Sequence, residues 1–324
     1  MARGDGRIVI GAGPASDTAT VHLSAVCAVV VTWQPDLGVL RELLDALSPQ
    51  VGHMVVVDNG TRDPEFREAC AARSDIVLIA LGGNHGLAHA INRGIDRARG
   101  LPGVSHVLLM DQDSVPDRGM VDALRSALER AGAHTRPAAV GPRFRDPREP
   151  EDAPFVRIRF PFNEKVRCDG GCETVRCDFL ISSGCLIPLA VLDDVGGMGD
   201  ALFIDNVDLD WCFRASAAGY ALHGVCAAHL RHRLGETRRY MPGMPRGIVV
   251  HSPRRLFYMM RNRVLLYRRA YTPRRWIAQD IPRLIVKFLL FALLVAPRRK
   301  NVRCMLAGLW AGVHGLTPPP PGGA

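Results

Sequence analysis

Short apolar, β-branched runs alternate with amphipathic stretches throughout the first half of this 324-residue chain. The apolar runs predict strands at residues 25–32, 53–57, 76–80, 106–110 and 138–141. The stretches between them have apolar residues at helical spacing and predict helices at 36–47, 64–72, 86–98 and 117–131. Strands that alternate with helices form a parallel sheet covered on both faces. The sequence therefore predicts an α/β fold with a mixed, mainly parallel sheet flanked by helices.

The second half of the chain follows a different pattern. Residues 142–175 are rich in Pro, Arg and Asp, and we expect them to form an excursion over the sheet edge. Further helices are predicted at 205–218, 254–269 and 281–296. The predicted boundaries are 1–24 for a flexible N-terminal extension, 25–240 for the α/β domain, 241–316 for a basic helical region and 317–324 for a disordered tail. The first 20 residues contain no signal-peptide core, which predicts a cytoplasmic protein.

Positive charge is concentrated in the C-terminal part of the chain. Residues 231–303 contain 19 Lys or Arg against two acids, Glu236 and Asp280, whereas the whole chain has a formal net charge of +9. Such a region favours polyanionic partners: nucleic acid, anionic lipid or pyrophosphate groups. The cations are interleaved with long apolar stretches and not with aromatic stacking platforms, which argues against nucleic acid.

An apolar stretch within this basic region indicates contact with a membrane. Residues 284–296 are nearly all apolar, are interrupted by Lys287, and are flanked by Arg283 and Arg298. The stretch is too short to cross about 30 Å of hydrocarbon. The flanking cations favour a helix that lies in the membrane interface. The alternative is a buried helix that packs on the α/β domain, and the two interpretations can hold for different faces.

The chain has nine cysteines, an odd number. Most lie in apolar strings, which is typical of reduced core cysteines. Cys168, Cys172 and Cys177 are close enough in sequence for a zinc site to be considered, but they contain no C-x-x-C pair and no obvious fourth ligand. The sequence therefore favours reduced cysteines over zinc and leaves metal binding by these three open.

Two carboxylates, Asp111 and Asp113, directly follow the predicted strand at 106–110. They lie at the carboxyl edge of the sheet, where open α/β sheets bind their ligands. A hard divalent cation that bridges a diphosphate is their natural partner. His229 or His232 could complete the coordination, and such a ligand set favours Mn²⁺ over Mg²⁺. The alternative interpretation is a solvated turn that caps the next helix.

Polar residues also end the two neighbouring strands. Asp58 follows the strand at 53–57 and could accept a hydrogen bond from the imide N–H of uracil or thymine. A plain turn is the competing interpretation. Thr32 ends the first strand at the same sheet edge, where the backbone could frame a base.

Glycine and asparagine are unusually frequent at the start of the helix predicted at 86–98. Asn84, Gly86, Asn92 and Gly94 lie in or beside it. Both residue types lower helix stability relative to alanine. Small residues, however, let the amides of a helix N-terminus approach a ligand closely. Ligand binding is therefore one reason for their presence.

Three acids lie at the start of the helix predicted at 205–218. Asp210 and Arg214 are spaced i, i+4 and are predicted to form a pair on one face. That pairing leaves Asp208 freer than Asp210 to act as a general base. The alternative interpretation is an acidic N-terminus that complements the helix dipole.

Taken together and in order, these segments resemble the family 2 glycosyltransferases of the GT-A fold, most closely their bacterial rhamnosyltransferase branch, with galactofuranosyltransferases as near relatives. The matching segments are VVVTWQPDL at 29–37, VVVDNG at 55–60, NHGLAHAINRGI at 84–95, MDQDS at 110–114, SSGCLIP at 182–188, FIDNVDLDWCFRA at 203–215, HRLGE at 232–236 and HSPRRLFYMMRNR at 251–263. The resemblance extends over residues 25–315. It implies a GT-A (Rossmann-like) domain followed by a C-terminal helical, membrane-associating region.

The resemblance also implies roles for individual residues. Asp208, six residues before Arg214, would be the general base. Most relatives have Glu-Asp at this position. This chain has Val207-Asp208, a departure that the rhamnosyl branch shares. The metal ligands would be Asp111, Asp113 and His232, with His232 preferred to His229. The donor-binding residues would be Thr32, Asp58, Asn84, Gly86, Asn92, Asp111, Gln112 and Arg261, with Asp58 on the base and Arg261 on a phosphate of the donor or of a lipid carrier.

The implied reaction is an inverting, metal-dependent sugar transfer. The donor would be dTDP-L-rhamnose, the cofactor Mn²⁺ or Mg²⁺, and the acceptor a polyprenyl-diphosphate-linked glycan of cell-wall or surface polysaccharide synthesis. The enzyme would lie peripherally on the inner face of the cell membrane, and its oligomeric state stays open.

Three alternatives differ in chemistry. The nearest is a galactofuranosyltransferase or another UDP-sugar transferase of the same fold. A nucleotidyltransferase would also use paired aspartates, but the segment after the first strand is not the Gly-rich basic loop of such enzymes. A catalytically inactive, membrane-docked scaffold is the third, and the presence of Asp111, Asp113, Asp208 and His232 argues against it.

Overall fold

The computed structural model describes residues 25–149, 151–168, 173–232, 237–241 and 244–317. The expected N-terminal extension at 1–24 and all but the first residue of the expected tail at 317–324 lie outside the described residues.

The first half of the sheet is parallel. Its strands are β1 (Val26–Thr32), β2 (His53–Asp58), β3 (Ile76–Ala80) and β4 (His106–Asp111), in the order β3-β2-β1-β4. The connecting helices are α1 (Leu37–Leu47), α2 (Pro64–Ala71) and α3 (Leu87–Arg99), and α4 (Met120–Gly132) follows the short strand β5 (Ser114–Pro116). Alternate residues of β1 enter the two apolar cores on opposite faces of the sheet, Val29 in one and Val30 in the other. This part of the fold confirms the predicted alternation of strands and helices.

The second half of the sheet is mixed. Strand β10 (Cys185–Pro188) lies antiparallel between β4 and β6 (Pro137–Arg145), and β11 (Ala221–His232) runs parallel to β6. Strands β5 and β9 (Thr174–Cys177) both pair antiparallel with β11. Because β5 follows β4 directly in sequence, its pairing with the far end of β11 brings the end of β4 close to the end of β11.

The segment predicted as an excursion carries its own small sheet. Strand β7 (Phe155–Arg157) forms an antiparallel hairpin with β8 (Glu164–Val166). Later, helix α5 (Leu189–Val195) leads to α6 (Val207–Ala217), and β12 (Thr237–Met241) pairs with β13 (Met244–Val250).

Three helices end the described chain: α7 (Pro253–Tyr267), α8 (Arg274–Leu293) and α9 (Arg298–His314). Helix α8 begins earlier than the prediction at 281, and α9 was not predicted. Gly308 and Gly312 lower the intrinsic helix propensity of α9. They also let α9 pack closely on α7, since a Cβ at Gly312 would lie 2.8 Å from the Arg261 carbonyl oxygen. No helix among the described residues is long and apolar enough to cross a membrane.

Two of the nine cysteines are joined in a disulfide, which the sequence did not predict. Cys168 is bonded to Cys226 of β11, 58 residues away. Cys168 therefore has no free thiolate for zinc, whereas Cys177 is a free, buried thiol. Cys172, the third candidate ligand, lies outside the described residues. The zinc alternative therefore loses one of its three ligands.

Gly94 has a packing role that the sequence alone did not separate from ligand binding. It lies in α3 against β1, and a Cβ at this position would overlap the Val29 side chain and lie 3.2 Å from a methyl group of Val57. The absence of a side chain lets the helix lie close to the sheet.

Gly94→Ala is expected to lower the free energy of unfolding by about 1–2 kcal/mol, because overpacking outweighs the gain of about 1 kcal/mol in helix propensity. Urea denaturation measures the change. Gly132→Ala in α4 is the matched control, since no atom outside its own stretch of helix lies within 4 Å of the position that its new methyl group would occupy, and only the propensity gain applies. Equal effects of the two substitutions would contradict the packing role.

Candidate active site

A cavity of about 480 Å³ opens where β1 and β4 end. Residues from distant parts of the chain line it, among them Trp33, Asn84, Asp111, Asp113, Asp208, His232 and Arg255. The location agrees with the rule that open α/β sheets bind ligands at the carboxyl ends of their strands. A second cavity of about 540 Å³ adjoins it and shares Trp33 and Asn84 with the first.

Asp111, Asp113 and His232 form a cluster suited to a divalent cation. One potential ligand atom of each lies within 4.8 Å of those of the other two. The pairing of β5 with β11 produces this proximity, because Ser114 lies opposite His232 in the sheet. Burial and the neighbouring Asp113 raise the pKa of Asp111, which His232 opposes. A bound cation would offset the free-energy cost of burying the negative charge of Asp111.

Two serines hold the histidine of this cluster in place. The Ser114 hydroxyl lies 2.5 Å from Nδ1 of His232, and Ser183 donates a hydrogen bond of 2.6 Å to Ser114. Ser183 in turn accepts a 3.2 Å hydrogen bond from the backbone N–H of Asp111. The chain of hydrogen bonds therefore ties the imidazole to the backbone of the first carboxylate.

The three acids at the start of α6 have different partners. Asp210 accepts a hydrogen bond of 3.1 Å from Arg214, which confirms the predicted pair, and another of 2.5 Å from the Tyr271 hydroxyl. Asp205 is bound by two nitrogens of Arg255 at 3.0–3.2 Å. Asp208 accepts a 2.8 Å hydrogen bond from its neighbouring backbone N–H and forms no ion pair with a cation in the part of the chain that the structure describes.

The environment of Asp208 suits proton transfer. Burial, followed by the negative charges of Asp111 and Asp205, raises the pKa of its carboxyl to about 6, against a partly compensating backbone hydrogen bond. A carboxylate with a pKa near the working pH is an effective general base. The backbone leading to it has φ values of 66° at Asp205 and 61° at Asn206, a left-handed conformation that non-glycine residues adopt at a cost. The fold maintains this strained turn where it places Asp208 in the cavity.

Arg255 lines the cavity and was missed in the prediction from sequence. Its positive charge lowers the pKa of Asp111, and it is part of the segment at 251–263 that carries the family resemblance. The sequence signal was present, but the resemblance assigned the phosphate contact to Arg261.

Arg261 does not line the cavity. It is buried and donates hydrogen bonds of 2.6 Å and 2.9 Å to the carbonyls of Ala201 and Leu202, while Asn262 donates to Leu202, Ile204 and Asp205. The expected phosphate contact is therefore not supported by the geometry. Both residues hold the loop before α6 in place, because a buried guanidinium needs acceptors and the loop carbonyls provide them.

Three further expected donor-binding residues contact protein groups. Asn92 exchanges hydrogen bonds with the backbone of Met198, and Gly86, at φ 93°, is pressed against Phe203, where a Cβ would lie 2.6 Å from the ring. Gln112 lines the cavity, but its amide bonds both the N–H (2.7 Å) and the carbonyl (3.2 Å) of Trp33. These residues position the cavity walls.

Thr32 and Asp58 lie opposite each other at the ends of β1 and β2 and line neither cavity, whereas Asn84 lines both. Asp58 is buried; its Oδ1 accepts a 2.7 Å hydrogen bond from Thr61, and its Oδ2 is buried without a hydrogen-bond partner among the described residues. Asn84 accepts from Asn59 at 3.2 Å, and Thr32 donates a long bond of 3.4 Å to Val57. Buried acceptors of this kind ordinarily have a donor, which a ligand can provide.

Comparison with known proteins identifies the family. A sequence profile described as Glycosyl transferase family 2 matches residues 27–181. The dTDP-rhamnosyl transferase RfbF of Shigella flexneri is 30% identical over 298 residues, which are 91% of this chain and 97% of that protein. The chain belongs to glycosyltransferase family 2.

Two solved structures share the fold of this family 2 glycosyltransferase. GalNAc-T7 with UDP, GalNAc and Mn²⁺ superposes with a TM-score of 0.57 at 12% identity, over 92% of this chain and 59% of that one. TarS of S. aureus gives a TM-score of 0.54 at 14% identity, over 88% of this chain and 49% of that one. The chain thus spans about half to three fifths of those proteins, and the similarity shows the fold alone. The expectation of a GT-A glycosyltransferase is confirmed.

Proposed function

We propose that this glycosyltransferase transfers L-rhamnose from dTDP-L-rhamnose to an acceptor hydroxyl with inversion at the anomeric carbon. The observation that carries the proposal is one cavity in which Asp208, a carboxylate with a raised pKa, faces the Asp111, Asp113 and His232 cluster. A base and a cation site are what a displacement of a diphosphate requires. The rhamnosyl donor is supported by the similarity to RfbF.

In the proposed mechanism, Asp208 accepts the proton of the acceptor hydroxyl as its oxygen attacks the anomeric carbon. The bond from that carbon to the diphosphate oxygen breaks as the new glycosidic bond forms. A divalent cation, Mn²⁺ or Mg²⁺, held by Asp111, Asp113 and His232 would supply charge neutralisation for the leaving diphosphate. Arg255, already facing Asp111, adds positive charge on the same side of the cavity.

Asp58 supports a nucleotide with a pyrimidine base. Its Oδ2 has no partner among the described residues and would accept the imide N–H of a thymine or a uracil if the wall of the cavity moved, because Asp58 is buried beside Thr32 and lines neither cavity. The two bases share that N–H, so this contact serves a UDP-sugar such as UDP-galactofuranose equally well. That donor is the second candidate.

The acceptor we propose is a polyprenyl-diphosphate-linked glycan in cell-wall or surface polysaccharide synthesis, met at the inner face of the cell membrane. The concentration of cations in the C-terminal helices supports this part of the proposal.

Calorimetric titration of the purified chain tests the donor. We expect dTDP-rhamnose to bind at least about tenfold more tightly with Mn²⁺ or Mg²⁺ than with a chelator, because a cation held by Asp111, Asp113 and His232 would neutralise charge on the diphosphate. UDP-galactofuranose and UDP-glucose are the comparison ligands. Preferred binding of a UDP-sugar would overturn rhamnose as the donor, and the lack of metal-dependent binding of any nucleotide sugar would overturn the mechanism.

A further inference from the structure

Helices α8 and α9 expose an unusually apolar surface, which we call the C-terminal surface. Its large apolar side chains are Ile281, Ile285, Val286, Leu289, Leu293, Leu294, Leu306, Trp310, Val313 and Leu316. Several are more than half exposed, including Leu293 at 62% and Trp310 at 57%. Large apolar patches of this kind mark sites where proteins bind partners or membranes.

The exposed residues form stripes along both helices. In α8, Ile281, Ile285, Leu289 and Leu293 follow one another at intervals of four residues. In α9, Arg299, Arg303, Leu306, Trp310 and Val313 recur at intervals of three or four and so share one face. Cations occupy the N-terminal end of that face and apolar side chains the C-terminal end. Cations beside large apolar side chains allow contact with anionic headgroups and with the acyl boundary.

The charge around these stripes has one sign. Within residues 274–316, all of which the structure describes, seven cations are exposed: Arg274, Arg275, Arg283, Arg298, Arg299, Lys300 and Arg303. The segment has a single acid, Asp280, which is buried and lies 3.0 Å from Arg263 and 2.6 Å from the Tyr267 hydroxyl. The exposed charge of this segment is therefore positive throughout.

We propose that the C-terminal surface docks on a bilayer rich in anionic lipids, with α8 and α9 lying in the plane of the interface. The cations match anionic headgroups and the apolar stripes match the acyl boundary. A second copy of the chain fits less well, because a symmetric interface would set these cations against one another. Docking itself does not depend on the proposed function. Only the identification of the docked membrane as the one that holds the acceptor rests on it.

The packing of the helices connects this surface to the active site. Helix α9 lies closely on α7 at Gly308 and Gly312, and α7 carries Arg255 into the cavity. Lys287 of α8 lies near enough to Arg255 and Asp205 for their charges to act on it, and burial together with Arg263 lowers its pKa to about 8. Docking would therefore hold the cavity in a fixed position relative to the membrane.

Sedimentation of the purified full chain with vesicles tests the proposal, without donor or acceptor. The vesicles are phosphatidylcholine alone or phosphatidylcholine mixed with phosphatidylglycerol. We expect binding to the mixed vesicles that is weakened by salt, and a loss of at least about tenfold in Leu289→Glu/Trp310→Glu and in Arg299→Glu/Arg303→Glu. Arg118→Glu is the control, because Arg118 is exposed and lies beside residues of α1 and β5, whereas the β7–β8 hairpin contacts α8.

Two further measurements separate docking from misfolding and from self-association. Circular dichroism and calorimetric donor binding of each variant show whether its fold and catalytic cavity are intact, so that failure of the sugar-transfer proposal is distinguishable from failure of docking. Equal sedimentation of wild type and both double variants, or an equal loss in Arg118→Glu, would overturn the proposal. The proposal would also be overturned if the wild type bound neither vesicle and formed dimers in sedimentation velocity that both double variants abolished.

Discussion

Asp208→Asn is expected to reduce kcat by about 10²- to 10⁴-fold, because the asparagine amide cannot accept the proton of the acceptor hydroxyl. The side chain keeps its size and its oxygen acceptor for the neighbouring N–H, so donor binding should change little. Initial rates with saturating donor, together with calorimetric donor binding, measure the two effects separately. A variant with near wild-type kcat would remove Asp208 from the mechanism.

The pH dependence gives an independent readout of the same carboxyl. The pKa of the Asp208 carboxyl is raised to about 6, so the carboxylate predominates above pH 6 and the protonated acid below it. We expect kcat/KM of the wild type to fall about tenfold per pH unit below pH 6. The residual rate of Asp208→Asn should lack this acid limb. A bound cation opposes the effect of burial, so the limb moves to lower pH as metal affinity rises.

The same substitution is expected to stabilise the metal-free protein at neutral pH. Folding raises the pKa of Asp208, so this carboxyl binds its proton more tightly in the folded state than in the unfolded state. Its contribution to stability therefore falls as the pH rises from about 4 to 6 and stays unfavourable above pH 6. Since Asp208 partly faces the cavity, removal of the charge should add about 1–2 kcal/mol to the free energy of unfolding. Asp210→Asn is the contrasting control and should destabilise, because Arg214 and Tyr271 lose their charged partner.

Asp113→Ala and His232→Ala are expected to weaken Mn²⁺ binding by at least about 100-fold, because each removes one of three ligands from the cluster. Transfer activity should fall in parallel and recover in part at high Mn²⁺ concentration. Paramagnetic resonance of free Mn²⁺ measures the affinity directly.

The control for the metal site is Asp96→Ala, an exposed acid on α3 that pairs with Arg99. It should leave both Mn²⁺ affinity and activity at the wild-type level. If Asp113→Ala behaves like Asp96→Ala, the cluster is not the cation site, and the diphosphate must be neutralised by Arg255 and its neighbours.

The pattern of apolar residues was sufficient to predict the first four strands and their helices. Their buried faces depend on local periodicity, and the helix starts on local capping, as at Asp36, whose side chain accepts from Gly38 and Val39. Helix α9 escaped prediction because its glycines disfavour a helix locally and favour it only through close packing on α7.

The sequence indicated the candidate residues that follow the strands. It did not indicate which candidate side chains are already hydrogen-bonded to other protein groups. Asp111, Asp113 and His232 do lie together, as the resemblance implied. Arg261, Asn92 and Gln112 are hydrogen-bonded to protein groups, and of these three only Gln112 lines the cavity. A motif states which residue types are present, but it does not state which of them already have hydrogen-bond partners.

The sequence by itself determined the alternation of strands and helices, the positions of the carboxylates after their strands and the uneven distribution of charge, because each of these is a property of neighbouring residues. Only the tertiary structure decided that Arg255 pairs with Asp205, that Arg255 and not Arg261 lines the cavity, and that Cys168 is bonded to Cys226. Most of these outcomes depend on contacts between residues tens of positions apart. Such contacts form only when the fold brings the distant segments to the same edge of the sheet.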